Sequence, residues 1–177
     1  MHAHPTCMKT STLFAGALLA LSTSAFAQSI NDAQIASIVV TANQVDIDAG
    51  KFAASTATNA EVKKFAQLMV TDHTSVNKQA TDLAKRLNVT PQDNDTSRSL
   101  KEGGDKNLTN LKALKGAAFD KAYVDHEVAY HQAVLDAVDK TLIPGASNAD
   151  LKALLVKVRP AFVAHLEHAK HVQASLK

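Results

Sequence analysis

Along four stretches of this chain apolar residues recur at three- and four-residue spacing, and a stripe with that period is buried by packing against other helices. The first follows the start signal Asn31-Asp32 and carries Ile35, Ile38, Val39, Ala42, Val45, Ala49 and Ala53, ending near Thr58. Asn59 caps the second, on which Val62, Phe65, Leu68, Met69, Val76, Ala80, Leu83 and Leu87 follow. Leu108, Leu111 and Leu114 resume the pattern near Lys106, and after Gly116 Phe119, Tyr123, Val124, Val134 and Val138 form the stripe of a third long helix that ends before Pro144-Gly145. The fourth opens at Ser147 or Asn148 and runs through Leu151, Leu154, Leu155, Val158, Phe162, Leu166, Val172 and Leu176. Pro160 inside it predicts a kink near Val156 to Pro160.

The connections decide how such helices associate. The breaks near Thr58 and Gly145 are short and predict antiparallel neighbours. Asn88 to Asp105 is rich in Asn, Asp, Thr, Ser and Gly, and reads as a long crossover with at most a short helix around Thr96 to Glu102. Two antiparallel hairpins joined by one long crossover are the connectivity of an all-α, ferritin-like four-helix bundle.

Ahead of the first helix, Lys9 precedes an apolar run from Leu13 to Leu21, and Ala25-Phe26-Ala27 supplies a small-x-small cleavage pattern. Residues 1–27 thus read as a signal peptide, with Met8 a plausible start and 1–7 an upstream extension. The run is shorter than the roughly 20 residues of a membrane span, so the mature chain, 28–177, is expected as a single periplasmic domain without membrane insertion. Cys7 is the only cysteine and precedes the run, so any metal in the mature part must use His, Asp and Glu. Charge is near balance, with 19 Lys and Arg against 17 Asp and Glu and no long run of one sign, and Trp is absent. That pattern argues against a nucleic-acid partner. Neither a glycine-rich phosphate loop nor a nucleophile with a triad pattern is present.

Giving each residue 100 degrees of helical rotation places several polar side chains on the apolar stripes. Asp46 falls in mid-stripe on the first helix; Asp72 lies between Met69 and Val76 on the second, with His73 at its edge. Glu127 and His131 stack four residues apart on the third, and His165 points inward between Phe162 and Leu166 on the fourth. At about 1.5 Å per residue, Asp46 and His73 lie about 18 and about 22 Å from the first turn; Glu127, His131 and His165 lie about 27, about 21 and about 30 Å from the second. One mid-bundle layer therefore collects them. Carboxylates and imidazoles buried together are reconciled either by a shared divalent cation, for which Zn, Fe and Mn all suit the donor set, or by a metal-free hydrogen-bond network. Glu127 to His131 is an i,i+4 pair and the Glu-x-x-His pairs of a di-iron site are missing, so a mononuclear or weakly occupied site is expected rather than a di-iron oxidase site. His126 sits one step off its stripe, and His168 and His171 rotate toward solvent.

The segments Phe65-Ala66-Gln67-Leu68-Met69-Val70-Thr71-Asp72-His73-Thr74 and Gly116-Ala117-Ala118-Phe119-Asp120-Lys121-Ala122-Tyr123-Val124, with His131 and His165, carry a resemblance. Over about Ile30 to Lys177 the chain resembles the bacterial domain-of-unknown-function 4142 family, whose members are exported, ferritin-like and often labelled outer-membrane proteins. The resemblance implies fold and compartment and supplies no reaction. Asp46 stands where such proteins more often carry Glu, and Arg159-Pro160 where Leu-Pro is common. Three function classes follow: a periplasmic metal-binding or oxidative-stress protein, a ferritin-like oxidase, and a non-catalytic structural bundle.

Overall fold

The computed structural model describes residues 30–176, and the segment expected to be a signal peptide, 1–27, lies outside them. The described residues are all-α and include no strand. Helix α1, Asp32–Thr56, starts at a capping box in which the Asn31 side chain accepts from Gln34 N–H and the Gln34 side chain accepts from Asn31 N–H. Helix α2, Ala60–Arg86, is capped by Asn59, whose side chain accepts from Glu61 N–H and Val62 N–H. The turn between them is fastened from across the molecule. Asp120, itself buried, accepts from Thr58 N–H (3.0 Å), Thr58 Oγ1 (2.6 Å) and Asn59 N–H (2.8 Å).

The crossover departs from its sequence reading. Helix α3, Asp95–Lys112, occupies most of it, passes through Gly103-Gly104 and starts at an Asn94/Ser97 capping box. It runs beside α1 in the same direction: Asn94 Nδ2 donates to the Gln34 carbonyl and Ser37 Oγ to Asp93 at one end, and Gly104 abuts Val45 further along. The third stripe is correspondingly divided. Helix α4, Gly116–Ala137, starts at Gly116, whose φ of +57° is left-handed backbone that a side chain would strain, so the helix expected to begin near Lys106 is two elements.

Past Ala137 the coil widens into a π segment, Val138–Leu142, and ends in one turn, α5, Ile143–Gly145, which contains Pro144. Helix α6, Ala149–Ser175, continues through Pro160 without interruption. The carbonyl that Pro160 cannot bond belongs to Val156, an exposed residue, so water can take the missing donor's place. Helices α4 and α6 are antiparallel, tied by the two-pronged Arg159–Asp139 ion pair at one end and Gln173 to Asp125 at the other. Helices α1 and α2 form the other antiparallel pair.

Two apolar clusters fill the two ends. Phe65, Met69, Leu111, Phe119 and Tyr123 pack at the α1–α2 turn, and Ile35, Leu83, Leu142 and Leu155 at the opposite end. Of the core residues read from the stripes, Phe65, Phe119, Leu155 and Phe162 are buried and Val134 is half-buried. Leu68 is exposed at 37%, because the buried face of α2 follows Val62, Phe65, Met69, His73 and Val76. Between the two clusters lies a polar layer.

Candidate metal centre

Each long helix delivers its polar residue to this layer at a position that its apolar neighbours force inward. Asp46 on α1, His73 on α2, Glu127 and His131 on α4 and His165 on α6 are all buried, each at 3% exposure or less. Asp46 Oδ2 lies 3.1 Å from His73 Nε2 and 3.5 Å from His131 Nε2, and Glu127 Oε2 lies 3.4 Å from His131 Nδ1. The imidazole centroids are 5.1 to 5.5 Å apart, and Phe162 stacks flat on His73 at 5.5 Å. His73, His131 and His165 could share one metal ion, as could Asp46, Glu127 and His131.

The hydrogen bonds around the rings fix which nitrogen faces inward. Asn43 Nδ2 donates to the Val39 carbonyl at 2.7 Å, which turns the Asn43 oxygen toward His73 Nδ1 at 2.8 Å. That oxygen can only accept, so His73 carries its proton on Nδ1 and Nε2 keeps a lone pair. His131 Nδ1 donates to the Glu127 carbonyl at 3.0 Å, again leaving Nε2 bare. His165 donates from Nε2 to Asp72 Oδ2 at 2.9 Å, which leaves Nδ1. Those three bare nitrogens, both Asp46 oxygens and Glu127 Oε2 are all buried without a hydrogen-bond partner. Ligating histidines characteristically hold their other ring N–H on an oxygen acceptor, and all three rings do so here.

Electrostatics follow from burial. Asp46 is pushed up to about 8 by desolvation, and Glu127 is raised well above the ordinary carboxyl range by desolvation and then by the Asp46 charge. His73 is lowered to about 2 and His131 to about 4, in both cases first by burial. The Tyr123 hydroxyl stands beside Glu127 but closes no hydrogen bond of ordinary geometry. Without a cation, two carboxyl protons face three imidazole lone pairs, so at least one buried nitrogen stays unpaired. A cation held among His73, His131 and His165, or among Asp46, Glu127 and His131, would give the bare atoms of its set a partner.

Two sequence assignments change. Asp72, expected on the inner face, is half-exposed and grips His165 from the rim, whereas His73, expected at the edge, is the buried one. Asn43 went unread although it lies on the buried face three residues before Asp46, and a polar residue at that spacing was the available signal. His126 is half-buried and stacks on Tyr130, His168 sets its edge against Phe65, and neither joins the layer.

Residues 18–172 match the family model described as a domain of unknown function, DUF4142. The chain belongs to the DUF4142 family. No curated protein and no solved structure matches it. In this DUF4142 chain the segment quoted for the resemblance, Phe65 to Thr74, puts His73 into the layer and Asp72 behind it.

Proposed function

We propose that this protein is an exported, periplasmic member of its family, built as a ferritin-like four-helix bundle, that binds one divalent metal ion in the buried layer and serves in metal handling or oxidative-stress protection. The observation that carries the reading is the set of three buried histidines anchored by one nitrogen and bare at the other, with the bare Nε2 atoms of His73 and His131 both turned to Asp46. Distances support it. Two ligands about 2.0–2.1 Å from a tetrahedral ion sit about 3.3 Å apart, and the 3.1 and 3.5 Å from Asp46 Oδ2 to the two Nε2 atoms bracket that value. The donor set of His73, His131, His165, Asp46 and Glu127 suits Zn, Mn or Fe, with Asp72 and Asn43 as outer anchors. The leader features Lys9, Leu13 to Leu21 and Ala25-Phe26-Ala27 support export.

The test is elemental analysis of untagged protein together with thermal denaturation of the chelated form titrated with Zn(II), Mn(II) or Fe(II). Metal at 100 times its dissociation constant should stabilise the fold by about 2.7 kcal/mol, and His131→Ala should remove that gain. Absence of both bound metal and a metal-dependent shift would leave the layer as a hydrogen-bonded structural network.

A further inference from the structure

Helix α3 lies along α1 but meets α4 over only a short stretch, and between α3 and α4 a cavity of about 140 Å³ runs inward from the surface. Its mouth is formed by Thr96 and Leu100 on one side and Ala133 and Ala137 on the other. Deeper in, Ile38, Val134, Val138, Leu142 and Leu155 form its wall, and its floor reaches His73, His131 and Phe162.

Apart from the bare Nε2 atoms of His73 and His131, which face Asp46, the buried polar groups in this wall are already engaged. Asn43 spends its amide nitrogen on the Val39 carbonyl and its oxygen on His73, and the Tyr130 hydroxyl donates to the Ala42 carbonyl at 2.8 Å. His73 Nδ1 and His131 Nδ1 are likewise bound. Water needs two to four polar partners to be held in a cavity, and this wall has few to give. Apolar cavities of about 150 Å³ stay dry and accept benzene or xenon.

We infer that the slot between α3 and α4 is a binding pocket for one small, uncharged, apolar molecule of about benzene size, seated against the imidazoles of His73 and His131. Cavity shape and wall chemistry carry the assignment, and it holds with or without a cation in the layer. A charged ligand finds no counter-charge among the wall residues, and the inner part of the slot is filled by a molecule of about benzene size. The pocket therefore selects by size and by absence of polarity, and it brings its occupant to the edge of the layer where the bare nitrogens lie.

Benzene is the probe, titrated into the methyl-labelled chain with a chelator present and followed by NMR. Saturable shifts are expected at the Val134, Val138, Leu142 and Leu155 methyls, with the Val62, Leu111 and Val124 methyls at the far end unmoved. Ala137→Phe, which places a ring in the slot, should reduce the saturable shifts at least tenfold at the same benzene concentration, while the far-end methyls keep their positions. No saturable shift in the wild type, or shifts spread equally over both ends, would overturn the pocket. Because metal is absent throughout, a negative result leaves the metal titration standing, and a failed metal titration leaves the pocket standing.

Discussion

Asn43 and Asp72 stand to His73 and His165 as clamps: each removes one ring N–H from play and so sets which lone pair faces the centre. Asn43 is the more consequential, because its own orientation is fixed by the Val39 carbonyl and its bond to His73 is fully buried. Asn43→Ala leaves a buried N–H without a partner, which costs about 1 to 3 kcal/mol in denaturant melts. The same change should weaken metal binding by about 10- to 100-fold, because the imidazole loses its fixed tautomer. An affinity equal to wild type would show that Asn43 plays no such part. The positions of Asp46, Glu127, His131 and His165 were legible in the sequence because each interrupts an apolar stripe. The roles of Asp72 and Asn43 were not, since a 100-degree step locates a residue to within a neighbour, and the partner that turns each side chain comes from another helix or the previous turn.

At the scale of elements, the crossover shows what composition conceals. Its Asn, Asp, Ser and Gly content lowers intrinsic helicity, yet α3 forms because it is capped by Asn94 and Ser97 and laid against α1, and tertiary packing routinely overrides propensity. The adjacent glycines of α3 have opposite meanings. A Cβ on Gly103 would meet nothing within 4 Å, whereas one on Gly104 would lie 2.7 and 2.8 Å from the two methyls of Val45, a side chain with little rotamer freedom. Gly103→Ala should therefore stabilise the protein by about 0.5 to 1 kcal/mol through helix propensity. Gly104→Ala should destabilise it by about 1 to 3 kcal/mol by wedging α3 from α1. Paired chemical denaturation curves read both, and equal shifts in the same direction would show that α3 is not held at that contact. The two hairpin turns were legible from their caps and short lengths, whereas Gly116 as the boundary between α3 and α4 was hidden because Leu111 and Leu114 before it and Phe119 and Tyr123 after it continue the stripe.

For the whole molecule, the polar layer couples stability to pH through two opposed sets of groups, the imidazoles and the carboxyls, which offset each other between about 4 and about 6.5 and leave the carboxyls alone above that. His73 and His131, held to about 2 and about 4 in the fold, bind fewer protons than in the unfolded chain, so their contribution rises with pH up to about 6.5. Above that, those imidazoles are neutral in both states and the carboxyls decide. Asp46 keeps its proton to about 8 when folded and ionises near 3.8 when unfolded, and Glu127 shifts in the same direction. The folded state then holds the extra protons, so the metal-free protein should lose stability as pH climbs from about 6.5 to about 8, by about 1.4 kcal/mol per pH unit for each retained proton. A bound cation changes the sign of this dependence. It takes the place of those protons, ionises the carboxyls within the fold and binds more tightly as pH rises, so Zn-loaded protein should hold or gain stability over the same interval. Denaturation at several pH values between 6.5 and 8, with chelator and with Zn(II), separates the two curves, and Asp46→Asn should make the metal-free one shallower by the share of one proton. A metal-free curve already flat in the wild type would mean that Asp46 is ionised in the fold without a cation, with its charge met by a protonated histidine of the layer.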